Sequence, residues 1–177
     1  MANRQALREL HARLAERLQS VQGTEAPAAW LAVECEHQGL LFPLATAGEI
    51  FSVPTLLPVP HTRPWFIGVA NLRGRLHGVA DLAAFLGLRS AHRETEPMRD
   101  QARVLALNPA LGSHCALLVD RLAGLRNATQ LQPEPAGHGG ERPAFAPQAW
   151  RDAGGRRWQE IDLAALAAHP QFLGIAG

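Results

Sequence analysis

Several residue types that carry common chemistry are scarce in this chain. It has no lysine, no tyrosine, only two cysteines and 6% aromatic residues among its 177 positions. The cysteines, Cys35 and Cys115, form no CxxC pair and have no set of histidines nearby at the spacing of metal ligands. The sequence therefore predicts that the protein needs no metal, and that both cysteines are small buried residues.

Charge and hydropathy disfavour two broad functions. The formal charge is only +1, because 17 basic residues are balanced by 16 acidic ones, so a phosphate backbone would find no large basic surface. No run approaches the roughly 20 apolar residues of a bilayer-spanning helix. Charged residues such as Arg4, Arg8 and Glu9 also interrupt any secretory signal. We therefore expect a cytoplasmic protein that does not insert into a membrane and whose main partner is not nucleic acid.

Residues 1–22 are predicted to form an amphipathic helix. Strong helix formers fill this segment, and its apolar residues recur at spacings of three and four along one stripe: Leu7, Leu10, Leu14, Leu18 and Val21. Gly23, Thr24 and Pro27 then end the helix and form a short linker. The stripe is compatible with packing on the protein's own domain and with docking to a partner.

Residues 29–173 have the pattern of a mainly β domain. Short apolar runs punctuated by Gly and Pro predict strands near 30–35, 40–43, 49–53, 68–72 and 76–80, and a weaker second set near 103–107, 115–119, 125–131 and 157–161. Asp81 is predicted to cap a short helix over 82–86, which Gly87 ends. Residues 132–148 are rich in Pro, Gly and Ala, and we expect a mobile surface loop there.

The second set of strands echoes the first. The segment around Asp81 resembles that around Asp162, 81 positions later, and residues 41–48 resemble residues 117–124, 76 positions later. The different offsets require an extra stretch in the second copy, which residues 132–148 supply. Two copies of one small β unit would produce both matches.

One segment carries a resemblance to a known family. It reads PWFIGVANLRG over residues 64–74 and DLAAFLG over residues 81–87. This resembles the signature of the CheW family of chemotaxis coupling proteins, which joins Phe-Ile-x-Gly-Val, Asn-Leu-Arg-Gly and an Asp-Leu helix start in the same order. The N-terminal helix and the ending over residues 167–173 are similar to the branch of the family that serves type IV pilus twitching motility.

The resemblance implies a fold, a function and a set of contact residues. The fold would be two SH3-like five-stranded β-barrels, one over residues 29–89 and one over residues 100–173. The protein would be a non-enzymatic adaptor, without a cofactor, that couples a chemoreceptor's cytoplasmic tip to the regulatory domain of a CheA-like histidine kinase. The contact residues carried over from the family are Glu49, Ile50, Asn71, Arg73 and Gly74.

Local chemistry explains some of these residues without a partner. Gly74 suits the positive φ of a tight hairpin turn, and Asn71 suits side-chain bonding to the backbone at a corner. Glu49 on an edge strand could serve only to deter aggregation. Arg73 has no such explanation, because a turn does not need a guanidinium. His77-Gly78 departs from the apolar residue and Pro usual in the family, and could loosen the strand or admit a bulge.

Two other functional classes remain as alternatives. An enzyme could use Cys115 as a nucleophile beside His114, or His61 and His77 as acid and base. Adjacent residues on a strand point to opposite faces, however, so His114 and Cys115 would not meet. A small β-barrel could instead bind another protein or a nucleic acid, although aromatic residues for base stacking are few and the arginines are interspersed with acids.

Overall fold

The structure is a computed structural model that describes residues 29–90, 100–135 and 142–177 of the chain. These residues form mainly β-strands, arranged in two sheets, together with three short α-helices. The mainly β fold predicted from the sequence is therefore confirmed. The helix predicted over residues 1–22 lies outside the described residues.

The described residues contain eleven strands. These are β1 (Ala29–Cys35), β2 (Gln38–Pro43), β3 (Ala47–Ser52), β4 (Phe66–Leu72), β5 (Arg75–Asp81), β6 (Arg103–Leu107), β7 (Cys115–Val119), β8 (Arg121–Asn127), β9 (Leu131–Pro133), β10 (Ala149–Asp152) and β11 (Arg157–Glu160). The helices are α1 (Leu82–Phe85), α2 (Leu163–Ala167) and α3 (Pro170–Leu173). The five strands predicted before residue 82 match β1 to β5, because Gly and Pro mark their ends clearly.

The two sheets exchange strands between the halves of the chain. One has six strands in the order β8-β1-β2-β11-β10-β9, and the other has five in the order β3-β6-β7-β5-β4. The predicted division into barrels over residues 29–89 and 100–173 therefore does not follow the sheets, since each sheet takes a hairpin from one half and its other strands from the other half. Strand β1 is buried on both faces along nearly its whole length, which suits a central position between two cores.

The internal repeat explains this exchange. Strands β1, β2, β3, β4 and β5 of the first half correspond to β6, β7, β8, β10 and β11 of the second half. When each strand is replaced by its equivalent, the order β3-β6-β7-β5-β4 becomes β8-β1-β2-β11-β10, which is the order of the six-stranded sheet without β9. The two parallel pairings, β5 with β7 and β11 with β2, are equivalent. Asp81 and Asp162 cap α1 and α2 in the same way, each carboxylate accepting a hydrogen bond from the backbone amide three residues later, at 3.2 and 3.0 Å.

Among the described residues, three apolar cores occupy the faces of the sheets. The largest, called here the inter-sheet core, has members from both sheets. A second lies within the five-stranded sheet and a third within the six-stranded sheet. Successive side chains of β1 point to opposite faces of the six-stranded sheet and so enter different cores. Leu31 and Val33 belong to the inter-sheet core, whereas Trp30 and Ala32 belong to the third core.

The five-stranded sheet curves so that its end strands approach each other. The segment that follows β3 lies against β4, because Leu57 in this segment and Val69 on β4 exchange two backbone hydrogen bonds of 2.8 and 2.9 Å. Gly68 is required at this contact, because a Cβ there would lie 2.4 Å from the carbonyl oxygen of Leu57. The closure brings β3 near the turn between β4 and β5.

Two predictions for the second half of the chain are wrong. The strand expected over 125–131 is instead β8, which ends at Asn127, where the Asn127 side chain caps a short 3-10 turn. The mobile surface loop expected over 132–148 is contradicted at residues 142–148, which the structure describes, because Phe145 and Ala146 are buried in the inter-sheet core. Strand β10 was missed because its sequence, AWRD, is short and half polar.

Candidate protein-interaction surface

The turn between β4 and β5 is a two-residue hairpin loop formed by Arg73 and Gly74. The flanking residues Leu72 and Arg75 pair across the hairpin. Arg73 has φ 50° and Gly74 has φ 80°, and a type I′ turn requires positive φ at both central positions. The Asn71 side-chain oxygen accepts a hydrogen bond of 2.7 Å from the Gly74 amide, which fixes the turn. The predicted structural roles of Asn71 and Gly74 are thus both present.

Arg73 occupies a backbone conformation that disfavours it. The left-handed region costs a residue with a Cβ about 1–2 kcal/mol, and Asn, Asp or Gly usually takes this position of the turn. The Arg73 side chain is 75% exposed, so burial does not offset this cost. Neither the turn geometry nor burial therefore accounts for an arginine at this position.

The Arg73 guanidinium forms an ion pair with the Glu49 carboxylate on β3. Strands β3 and β4 are at opposite ends of the strand order, so the pair joins the two ends of the curved sheet. Glu49 is 43% exposed, and an exposed pair of this kind contributes about 0–1 kcal/mol. The structure therefore brings Glu49 and Arg73 together, which sequence spacing did not predict.

Two apolar residues that are neighbours of these residues in sequence or in strand register are also exposed. Ile50 follows Glu49 on the edge strand and is 38% exposed. Leu76 lies opposite Asn71 in the hairpin and is 62% exposed. We call Glu49, Ile50, Asn71, Arg73 and Leu76 the turn surface. Leu76 was not identified from the sequence, because an apolar residue inside a strand is normally part of the core.

The departure at His77-Gly78 does not produce the expected loosening or bulge. Both residues keep the register of the hairpin, and the irregularity lies instead on β4, between Phe66 and Gly68. A Cβ at Gly78 would lie 2.9 Å from the Phe66 ring, so Gly78 makes room for that ring. The His77 ring lies edge-on to that of His114, the residue just before β7, with 5.8 Å between ring centroids.

One pair considered for an enzyme, His114 and Cys115, is not arranged as a base beside a nucleophile. Burial raises the pKa of the Cys115 thiol to about 12, so it is not an activated nucleophile. Cys115 packs against the inter-sheet core, whereas His114 contacts His77. Across residues 29–90, 100–135 and 142–177 no three His, Cys, Asp or Glu side chains converge as metal ligands would. Among these same residues, no helix has the length and hydropathy to cross a bilayer.

Comparisons with known proteins agree with this architecture. The chain is 32% identical to the protein PilI of Pseudomonas aeruginosa over 168 residues, which covers 86% of this chain and 83% of that protein. It is 29% identical to the chemotaxis protein CheW of Thermotoga maritima over 102 residues, which covers 58% of this chain and 63% of that protein.

A solved structure has the same fold. The crystal structure of the scaffolding protein TtCheW from Thermoanaerobacter tengcongensis superposes with a TM-score of 0.62 at 18% identity, covering 77% of this chain and 89% of that one. The family described as CheW-like domain matches residues 29–171. With most of its length inside that match, the chain belongs to the CheW-like domain family.

Proposed function

We propose that this protein is a non-enzymatic cytoplasmic adaptor that couples a chemoreceptor to a CheA-like histidine kinase, in chemotaxis or type IV pilus signalling. The proposal rests mainly on Arg73, which is exposed, has a positive φ in the hairpin turn and forms an ion pair with Glu49. Membership of the CheW-like family and similarity to PilI support the choice of pathway.

The mechanism follows from binding alone. An adaptor that holds a receptor and a kinase in one complex raises the effective concentration of each for the other, and so turns receptor conformation into a bias on kinase state. No cofactor or reaction is required of the adaptor itself. The turn surface would contribute an arginine for charge-assisted hydrogen bonds to a partner's carboxylate or carbonyl groups, with Ile50 and Leu76 as apolar contacts beside it.

Isothermal titration calorimetry would test the proposal. The full chain is titrated with the regulatory domain of the cognate kinase and, separately, with a fragment of the receptor's cytoplasmic tip. We expect saturable binding to both, and kinase activity that depends on the adaptor in a reconstituted mixture with receptor. Absence of binding to either partner, together with binding to single-stranded nucleic acid, would instead favour a different small-barrel module.

A matched variant tests whether the turn surface is the contact. Arg73→Ala removes one guanidinium from an exposed pair on the five-stranded sheet. Arg157→Ala removes one from a comparable pair on the six-stranded sheet, where Arg157 bonds Glu134 at 3.0 Å. Only the first variant should weaken partner binding. Equal effects of both variants would mean that general charge, rather than the turn surface, drives association.

A further inference from the structure

A buried charge network lies where the two sheets meet, away from the turn surface. Arg89 donates two hydrogen bonds to Asp81, of 3.0 and 2.8 Å, and one of 2.7 Å to Asp120. It is also 3.3 Å from a carboxylate oxygen of Glu36. The Arg89 side chain is only 10% exposed, and those of the three acids are between 6% and 15% exposed. We call these four residues the Arg89 network.

The three carboxylates come from elements of both sheets. Asp81 ends β5 in the five-stranded sheet, and Glu36 lies in the turn between β1 and β2 of the six-stranded sheet. Asp120 lies where the chain leaves β7 and enters β8, that is, where it crosses from one sheet to the other. The Glu36 amide also donates a 2.6 Å hydrogen bond to Asp120. The Arg89 guanidinium therefore contacts a carboxylate of each sheet, and also the carboxylate at the point where the chain crosses between the sheets.

The inter-sheet core alone does not explain this network. Apolar burial is non-directional, so it favours contact between two sheets more than any one orientation of them. A buried ion pair often adds little net stability compared with an apolar replacement, and its best-attested use is to specify one arrangement. The planar guanidinium suits this use, because its donors have fixed directions that a lysine ammonium lacks.

From this geometry we infer that Arg89 is a positioning residue, which fixes the orientation of the two sheets through carboxylates on both of them. The functional consequence rests on the proposed function: partners that contact different sheets would be held at a defined angle only while the network is intact. Arg89 itself would contact neither partner. It acts through the relative placement of the surfaces that do.

Distance measurement by pulsed electron spin resonance tests the inference without any partner. Spin labels are placed at Leu76 on the five-stranded sheet and Leu125 on the six-stranded sheet, both 62% exposed, after Cys35 and Cys115 are replaced by alanine. The parent protein should give one narrow distance distribution. Arg89→Met, which keeps an apolar stem of similar length, should lose that single narrow peak while far-ultraviolet circular dichroism still shows a folded β protein.

A second variant guards against simple unfolding. Arg89→Gln combined with Asp81→Asn and Asp120→Asn removes most of the buried charge but leaves amides that can still hydrogen-bond and cap α1. It should fold, and it too should broaden the distribution. Arg157→Met, at an exposed position, is the matched control and should leave the peak unchanged. A narrow, unshifted peak in either network variant, or failure of both to fold, would overturn the inference and leave Arg89 a residue of stability alone.

Partner binding supplies the second readout. In the folded network variants, affinity for the kinase regulatory domain alone and for the receptor fragment alone should stay near that of the parent. The affinity of one partner measured with the other already bound should fall. If the parent itself binds neither partner, the proposed function fails, whereas the distance measurement still decides whether Arg89 sets the sheet orientation.

Discussion

Replacing Arg73 by asparagine should separate folding from binding at the turn surface. Asn-Gly is the preferred pair for the two central positions of a type I′ turn, and Arg73-Gly74 occupies those positions with positive φ at both. Arg73→Asn therefore improves the local backbone chemistry while it removes the guanidinium. If Arg73 serves stability, this change should lower the melting temperature. If Arg73 serves partner binding, the change should raise the melting temperature slightly and weaken the affinity.

The expected magnitudes can be worked from the structure. Relief of left-handed strain should stabilise the fold by about 1 kcal/mol. Loss of the exposed pair with Glu49 should cost about 0.5 kcal/mol. The net gain of about 0.5 kcal/mol corresponds to a melting temperature higher by about 1–2 °C in a domain of this size. Loss of an interface arginine commonly costs about 2 kcal/mol of binding free energy, or about thirtyfold in affinity.

Thermal melts followed by circular dichroism give the first quantity, and titration calorimetry against the kinase regulatory domain and the receptor fragment gives the second. Arg73→Lys is a useful control, because it keeps the charge and the backbone strain but loses the planar guanidinium with its fixed donor directions. A melting temperature several degrees lower in Arg73→Asn would instead make Arg73 a structural residue. Unchanged affinity for both partners would mean that Arg73 is not a contact residue.

Three further outcomes follow from single sites. Gly74→Asp should lower the free energy of unfolding by about 1 kcal/mol through backbone strain alone, since a Cβ there would meet no atom within 4 Å; an unchanged melting temperature would contradict this. Although burial opposes ionisation of Glu34, hydrogen bonds and charge from Arg121 and Arg156 lower its pKa overall. The stabilisation that ionised Glu34 contributes to the fold should thus be complete above its pKa in the unfolded chain, about 4.3, and should be lost as the pH falls through its lower pKa in the folded protein. Urea titrations at several pH values should therefore show a weaker loss of stability in acid for Glu34→Gln than for the parent. Alkylation of Cys115 at pH 8 should be about a thousandfold slower than that of a free thiol, whose pKa is about 8.5, and a mass-spectrometric time course would expose faster reaction.

The first half of the fold could be predicted from the sequence for identifiable reasons. Strands β1 to β5 are bounded by Gly, Pro and turn residues, and Asp81 signals its helix by the capping preference that the structure shows. The internal repeat is also visible in the sequence as a weak match around Asp162. This match could not predict the exchange of hairpins between the sheets, because which strands pair depends on burial of both sheet faces and not on order along the chain.

The candidate site was only partly predictable. The motif marked Asn71, Arg73 and Gly74 as a turn, and the structure adds that Arg73 itself has a positive φ. The pairing of Arg73 with Glu49 depends on closure of the curved sheet, which no local pattern encodes. The contacts of Arg89 could not be predicted, because a single arginine after a helix gives no sign that carboxylates from three separate elements surround it.

The repeat makes the two sheets similar in topology but leaves them different at their surfaces. The strand pairing sets Ile50 opposite Leu105 and Leu125 opposite Leu31, and these two partners occupy equivalent places in β6 and β1, so the counterpart of Glu49 is Gly124. The position equivalent to Arg73, 81 residues later, is Gly154. The ion pair on the five-stranded sheet therefore has no counterpart on the six-stranded sheet, where Leu125 is 62% exposed. An adaptor that joins two different proteins needs surfaces that are not interchangeable, since identical surfaces would compete for the same partner.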